Sequence, residues 1–90
     1  VEEKTMKQLN YVIKDKDGIH ARPAGELVKL AKTFSSTITL NKDGKIGDCK
    51  KIFTIMALGV KCGNDVIFTF EGADEEKAME AFLTFLNENL

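Results

Sequence analysis

The 90-residue chain has no tryptophan, one proline, one histidine, one tyrosine and two cysteines. Cys49 and Cys62 are too few for the disulfide framework of a small secreted domain. With one histidine and no C-x-x-C pair they also lack zinc-ligand spacing, so both are expected as free thiols with a packing role, and no metal or cofactor is expected. No apolar run approaches the roughly twenty residues of a membrane span, and Val1-Glu2-Glu3-Lys4-Thr5 lacks a signal-peptide core. Membrane insertion is therefore not expected, and the chain reads as cytoplasmic. A basic excess is missing too: the formal net charge is −1 with 30% charged residues of both signs, which argues against direct nucleic-acid binding. Any electropositive site must be local.

What is present suits one small core, since 43% of the residues are hydrophobic and the length leaves no room for a second domain. Leu9, Tyr11 and Ile13 alternate within residues 7–14, the pattern of a strand with one buried face. Asp15-Lys16-Asp17-Gly18 breaks it. Ala24, Leu27, Val28, Ala31 and Phe34 then recur at three- and four-residue intervals, predicting a helix from Ala21 to about Phe34 with Pro23 in its first turn. Thr37-Ile38-Thr39-Leu40 and a segment from Ile46 to Cys49 flank Asn41-Lys42-Asp43-Gly44, which reads as a hairpin turn.

Lys50 to Leu58 is apolar without strict alternation and predicts a short helix ending before Gly59. Val66 to Phe70 supplies a fourth strand, and Asp74 is placed to cap a last helix whose stripe is Ala78, Met79, Phe82, Phe85 and Leu86. Glu75 and Glu76 suit the positive end of that helix. The order β-α-β-β-α-β-α favours a two-layer α/β domain with helices on one face of an antiparallel sheet. The spatial order of the strands does not follow from the pattern.

The chemistry concentrates in Gly18-Ile19-His20-Ala21-Arg22-Pro23-Ala24-Gly25. By type alone, a histidine near a helix start is a surface or capping residue; its context singles this one out. A helix N-terminus carries amides without intrahelical partners and favours an anion. The backbone N–H groups of Ala21 and Arg22 belong to that terminus. Arg22 adds a guanidinium fork that matches phosphate oxygens, and neutral imidazole is a competent nucleophile near pH 7. Nucleophile and anion site coincide at His20.

This octapeptide resembles the active-site signature of the HPr family of the phosphoenolpyruvate-dependent sugar phosphotransferase system. The resemblance runs from about Met6 to Leu90 and includes Ala31-Lys32, Gly44-Lys45, Ile55-Met56-Ala57-Leu58-Gly59-Val60 and Glu71-Gly72-Ala73-Asp74-Glu75-Glu76-Lys77-Ala78. It implies an α+β open-faced sandwich with sheet order 1-4-2-3, forming a single domain over residues 6–90. Residues 1–5 are then an N-terminal extension or an added remnant, because family chains begin near Met6. It also implies a phosphocarrier rather than an enzyme: His20 would be phosphorylated at Nδ1 by enzyme I and would pass the group to enzyme IIA during sugar uptake. Arg22 would stabilise the transferring group, with the amides of Ala21 and Arg22 accepting its charge.

The short second helix would offer Ile52, Phe53 and Met56 to these partners, with Ile55 turned inward. Lys29, Lys32 and Lys50 would form a basic rim that steers acidic partner surfaces. A monomer is expected. One departure from the family stands out. Where kinase-regulated members have a serine in the pattern Leu-Lys-Ser-Ile, this chain has Cys49-Lys50-Lys51-Ile52. Lys51 has no hydroxyl, so serine phosphorylation at this position is chemically excluded. The competing reading is an HPr-like regulatory binding module in a non-sugar relay; retention of His20 and Arg22 favours the carrier.

Overall fold

The computed structural model describes residues 6–90; the expectation of an extension at residues 1–5 lies outside the described residues. The elements are β1 (Lys7–Val12), α1 (Ala21–Ala31), β2 (Thr37–Lys42), β3 (Lys45–Asp48), α2 (Ile52–Ala57), β4 (Asp65–Glu71) and α3 (Glu75–Asn89). They build one four-stranded sheet in the order β1-β4-β2-β3. All neighbouring strands are antiparallel, with Leu9 opposite Phe68 and Leu40 opposite both Phe68 and Gly47.

Alternation decides which sheet face the helices cover. Val66, Phe68 and Phe70 of β4 are buried while Ile67 and Thr69 lie half-exposed between them. Ile38 and Leu40 of β2 join the buried set. Against them α1 lays Ala24, Leu27, Val28 and Ala31, and α3 lays Ala78, Phe82 and Leu86. Phe82 meets Phe68 and Phe70 edge-on at centroid distances of 5.6 and 5.2 Å, an arrangement the ring quadrupoles favour. The Tyr11 hydroxyl donates to the Leu86 carbonyl at 2.9 Å, so the one tyrosine enters this core with its polar end satisfied.

Several boundaries differ from the sequence reading for local reasons. α1 ends at Ala31 rather than near Phe34, because the Thr33 and Phe34 amides turn back onto the Leu30 and Ala31 carbonyls in three-residue steps. Phe34 still packs against the core from outside the helix. β1 ends at Val12, and Ile13 exchanges backbone bonds with the Gly63–Asn64 turn instead. The β2–β3 loop tightens to Asp43-Gly44, both left-handed at φ 53° and 85°, the conformation of a type I′ hairpin, which lengthens both strands towards it.

Asp74 does not act as the expected side-chain cap of α3. It occupies the N-cap position without a capping bond. Its carboxylate instead accepts the Ser35 amide, the Ser36 amide and the Ser36 hydroxyl. Ser36 is buried, so its amide and hydroxyl would otherwise be orphaned under the start of β2. Those bonds, the Ser36 hydroxyl foremost, pull the Asp74 pKa down to about 2. Glu75 accepts the Gly72 amide at 3.0 Å, which closes the turn before α3.

Candidate functional site

The loop between β1 and α1 is pinned from both sides. Lys14 and Asp15 donate their amides to the Leu90 carbonyl at 2.6 and 2.9 Å, and Ile19 donates to the Val60 carbonyl at 3.1 Å. Gly18, at φ 66°, lies so close to the turn after α2 that a Cβ there would stand 2.3 Å from the Val60 carbonyl oxygen. Only glycine accommodates both the left-handed backbone and this approach.

The pinned loop delivers His20 to the N-cap of α1 in an extended conformation, with its side chain exposed and making no capping bond. Its carbonyl accepts the Ala24 amide at 3.0 Å, the first bond of the helix. The amides of Ala21 and Arg22 therefore fall in the first turn, where no intrahelical acceptor exists, and Pro23 has no N–H to satisfy. His20 and Arg22 line one cleft of about 220 Å³ with Asp15, Pro23, Glu26 and Asn89. An imidazole, a guanidinium and a helix N-terminus thus meet at this cleft.

The sequence reading missed the acidic side of this site. One carboxylate oxygen each of Asp15 and Asp17 and a ring nitrogen of His20 all lie within 4.8 Å of one another. The spacing Asp15-x-Asp17-x-x-His20 was the available signal, but it was read only as a turn. Asp15 also accepts the Asp17 amide at 2.8 Å, which folds the loop back towards His20.

On α2 the expected division of apolar residues is present. Ile55 is fully buried, whereas Phe53 is 83% and Met56 41% exposed. Ile52 is half-buried and reaches towards Gly25, which sets α2 beside α1. Lys51 occupies the N-cap of α2, exposed and without a capping bond. Lys42, which sequence reasoning passed over, reaches the Leu58 and Gly59 carbonyls at 3.4 and 3.2 Å and ties down the other end of α2.

The three lysines assigned to a basic rim are held differently. Lys29 lines the groove between α1 and α3, Lys32 is the exposed C-cap of α1, and Lys50 donates to the Phe34 carbonyl at 2.9 Å. Both cysteines are free thiols: Cys62 is exposed, while burial, reinforced by the Asp48 charge, pushes the Cys49 thiol well up and keeps it protonated. Among the described residues no helix is long and apolar enough to cross a membrane.

Comparison with known proteins agrees with this fold. Residues 7–88 match the family described as the PTS HPr component phosphorylation site. The phosphocarrier protein HPr of Lysinibacillus sphaericus is 40% identical over 83 residues, covering 92% of this chain and 94% of its own. The solved histidine-containing phosphocarrier protein of Mycoplasma superposes with a TM-score of 0.89 at 35% identity, covering 91% of this chain and 93% of that one. The catabolite repression protein Crh of Bacillus subtilis, solved as a swapped dimer, is also 35% identical, with a TM-score of 0.74 and coverage of 89% and 92%. The chain therefore belongs to the HPr family, whose members are phosphocarriers of the phosphotransferase system rather than enzymes.

Proposed function

We propose that this protein accepts a phosphoryl group on His20 from phosphorylated enzyme I and hands it to a histidine of enzyme IIA, serving sugar uptake in the cytoplasm as a monomer. The observation that carries this reading is the exposed His20 at the N-cap of an eleven-residue helix, in one cleft with Arg22. Transfer of this kind depends on positioning and charge stabilisation, and it needs no group beyond those present.

The lone pair of Nδ1 attacks phosphorus while the donor's bond to phosphorus breaks and its electron pair leaves with the donor. The other ring nitrogen keeps its hydrogen. Arg22 and the amides of Ala21 and Arg22 meet the charge on the three equatorial oxygens as they pass between the two nitrogens. Donor and acceptor must both approach this end of the molecule, and α2 offers them Phe53, Met56 and the exposed part of Ile52. An exposed phenylalanine beside a methionine is an apolar anchor of the kind that dominates small interfaces. Of the lysines that would steer acidic partner surfaces, Lys29 lies in the groove between α1 and α3, Lys32 caps the C-terminal end of α1, and Lys50 has one donor already committed to Phe34.

The test is incubation with phosphoenolpyruvate, magnesium and enzyme I, followed by intact-mass measurement before and after mild acid. One added, acid-labile phosphoryl group is expected. Arg22→Ala is expected to slow single-turnover transfer strongly without abolishing the product, because Arg22 stabilises charge but forms no bond to phosphorus.

A further inference from the structure

Phosphorylation changes the charge of the His20 cleft in a direction its surroundings oppose. The reaction turns a neutral ring into a cationic ring carrying a dianionic phosphoryl group, so the site gains at least one net negative charge. Asp15 and Asp17 already place carboxylate oxygens within 4.8 Å of a His20 ring nitrogen, and Glu26 lines the same cleft. The cleft itself is lined by two carboxylates, Asp15 and Glu26, against one guanidinium, that of Arg22, and Asp17 adds a third carboxylate beside His20. The neighbourhood is therefore net negative before the phosphoryl group arrives.

Resting on the reading of His20 as acceptor, we propose that Asp15 and Asp17, helped by Glu26, raise the phosphoryl-transfer potential of His20 by disfavouring its phosphorylated state. They act through space on the phosphorylated ring and form no bond to phosphorus. The loop bonds that hold Asp15 make the effect a fixed property of the fold: its amide is bound to the Leu90 carbonyl, its own carbonyl accepts the Gly18 amide, and its carboxylate accepts the Asp17 amide. Arg22 and the helix N-terminus stabilise the group in transit, while the carboxylates keep it from resting there. A carrier placed between two histidine sites gains by this balance, because an intermediate that binds phosphate too well stops the relay.

The effect of each carboxylate is modest because Asp17 is exposed and Asp15 only half-buried. One unit charge several ångströms from the phosphoryl group in a largely aqueous setting changes the equilibrium by about twofold at low salt, and salt screens it. The experiment measures the fraction of phosphorylated protein at equilibrium with catalytic enzyme I and fixed ratios of phosphoenolpyruvate to pyruvate. It compares the wild type with Asp15→Asn, Asp17→Asn and the double variant. Asparagine preserves the acceptor oxygen that holds the Asp17 amide, so the loop is retained. We expect each single variant to shift the equilibrium about twofold towards the phosphorylated protein, the double variant about fourfold, and both shifts to fade in ~0.5 M salt. Unchanged equilibria, a shift in the opposite direction, or a shift that persists unscreened overturns the proposal. Failure of the wild type to become phosphorylated at all contradicts the reading of His20 itself, a result that the equilibrium comparison cannot be confused with.

Discussion

Phe53 and Ile55, two residues apart on α2, face opposite environments: the phenylalanine is 83% exposed and the isoleucine is completely buried. A six-residue helix lying on the edge of the core can bury only one side, and the chain puts its largest apolar side chain on the other. This arrangement separates binding from stability. Phe53→Ala is expected to leave unfolding free energy within about 0.5 kcal/mol of wild type while weakening enzyme I or enzyme IIA binding by ~5-fold or more. Ile55→Ala is expected to cost about 2–5 kcal/mol of stability. Calorimetric titration beside thermal melts distinguishes the two; equal loss of stability for both variants places Phe53 in the core.

Lys51 leaves the start of α2 without a side-chain acceptor and puts a positive charge at the positive end of the helix. The Thr54 hydroxyl donates to the Lys51 and Asp48 carbonyls, and a hydroxyl used as donor does not satisfy the free amides. Lys51→Ser is expected to stabilise the protein by about 0.5–1 kcal/mol, raising Tm by roughly 2–8 °C. A lowered Tm in differential scanning calorimetry contradicts the capping argument.

Asp74 joins the start of α3 to Ser35 and Ser36, and its carboxyl titrates at about 2 against an ordinary value of 3.8. A lowered folded-state pKa means that this carboxylate stabilises the protein fully above about pH 4, and that the contribution is lost as pH falls towards 2. Asp74→Asn is expected to lower Tm at neutral pH and to flatten the dependence of Tm on pH between 4 and 2. Parallel wild-type and variant curves across that window show that Asp74 carries no linkage.

Gly18 connects the fold to the chemistry, since the turn after α2 lies against it and His20 follows two residues later. Gly18→Ala forces a Cβ to within 2.3 Å of the Val60 carbonyl oxygen at a left-handed φ of 66°. A loss of about 1–3 kcal/mol is expected, together with slower phosphorylation as the loop moves away from Val60. Wild-type stability and transfer rate in this variant would show that the approach is not required.

The sequence made visible what is periodic or chemically singular. Leu9-Tyr11, the Ala24-Leu27-Val28-Ala31 stripe and Asp43-Gly44 report the pleat, the helix and the turn because each is set by neighbours in the chain. His20 and Arg22 were legible because a helix start converts their order along the chain into proximity. The remainder depends on contacts between distant segments. Asp74 reads as a cap until Ser36, 38 residues earlier, claims its carboxylate. Lys50 reads as part of a basic rim and Lys42 as a turn residue until backbone carbonyls of Phe34 and Leu58 come within reach. Asp15 and Asp17 read as turn residues because their approach to His20 depends on how the loop is pinned to Leu90 and Val60.

The central claim is that phosphate travels on His20, and peptide mapping under conditions that preserve phosphohistidine tests it most directly. After phosphoenolpyruvate and enzyme I treatment, the phosphoryl group is expected on the peptide containing His20, with the Nδ1 linkage visible by NMR, and His20→Ala is expected to stay unmodified while melting close to wild type. Stoichiometric phosphorylation of folded His20→Ala, or phosphate mapped to any other residue of the wild-type protein, contradicts the account.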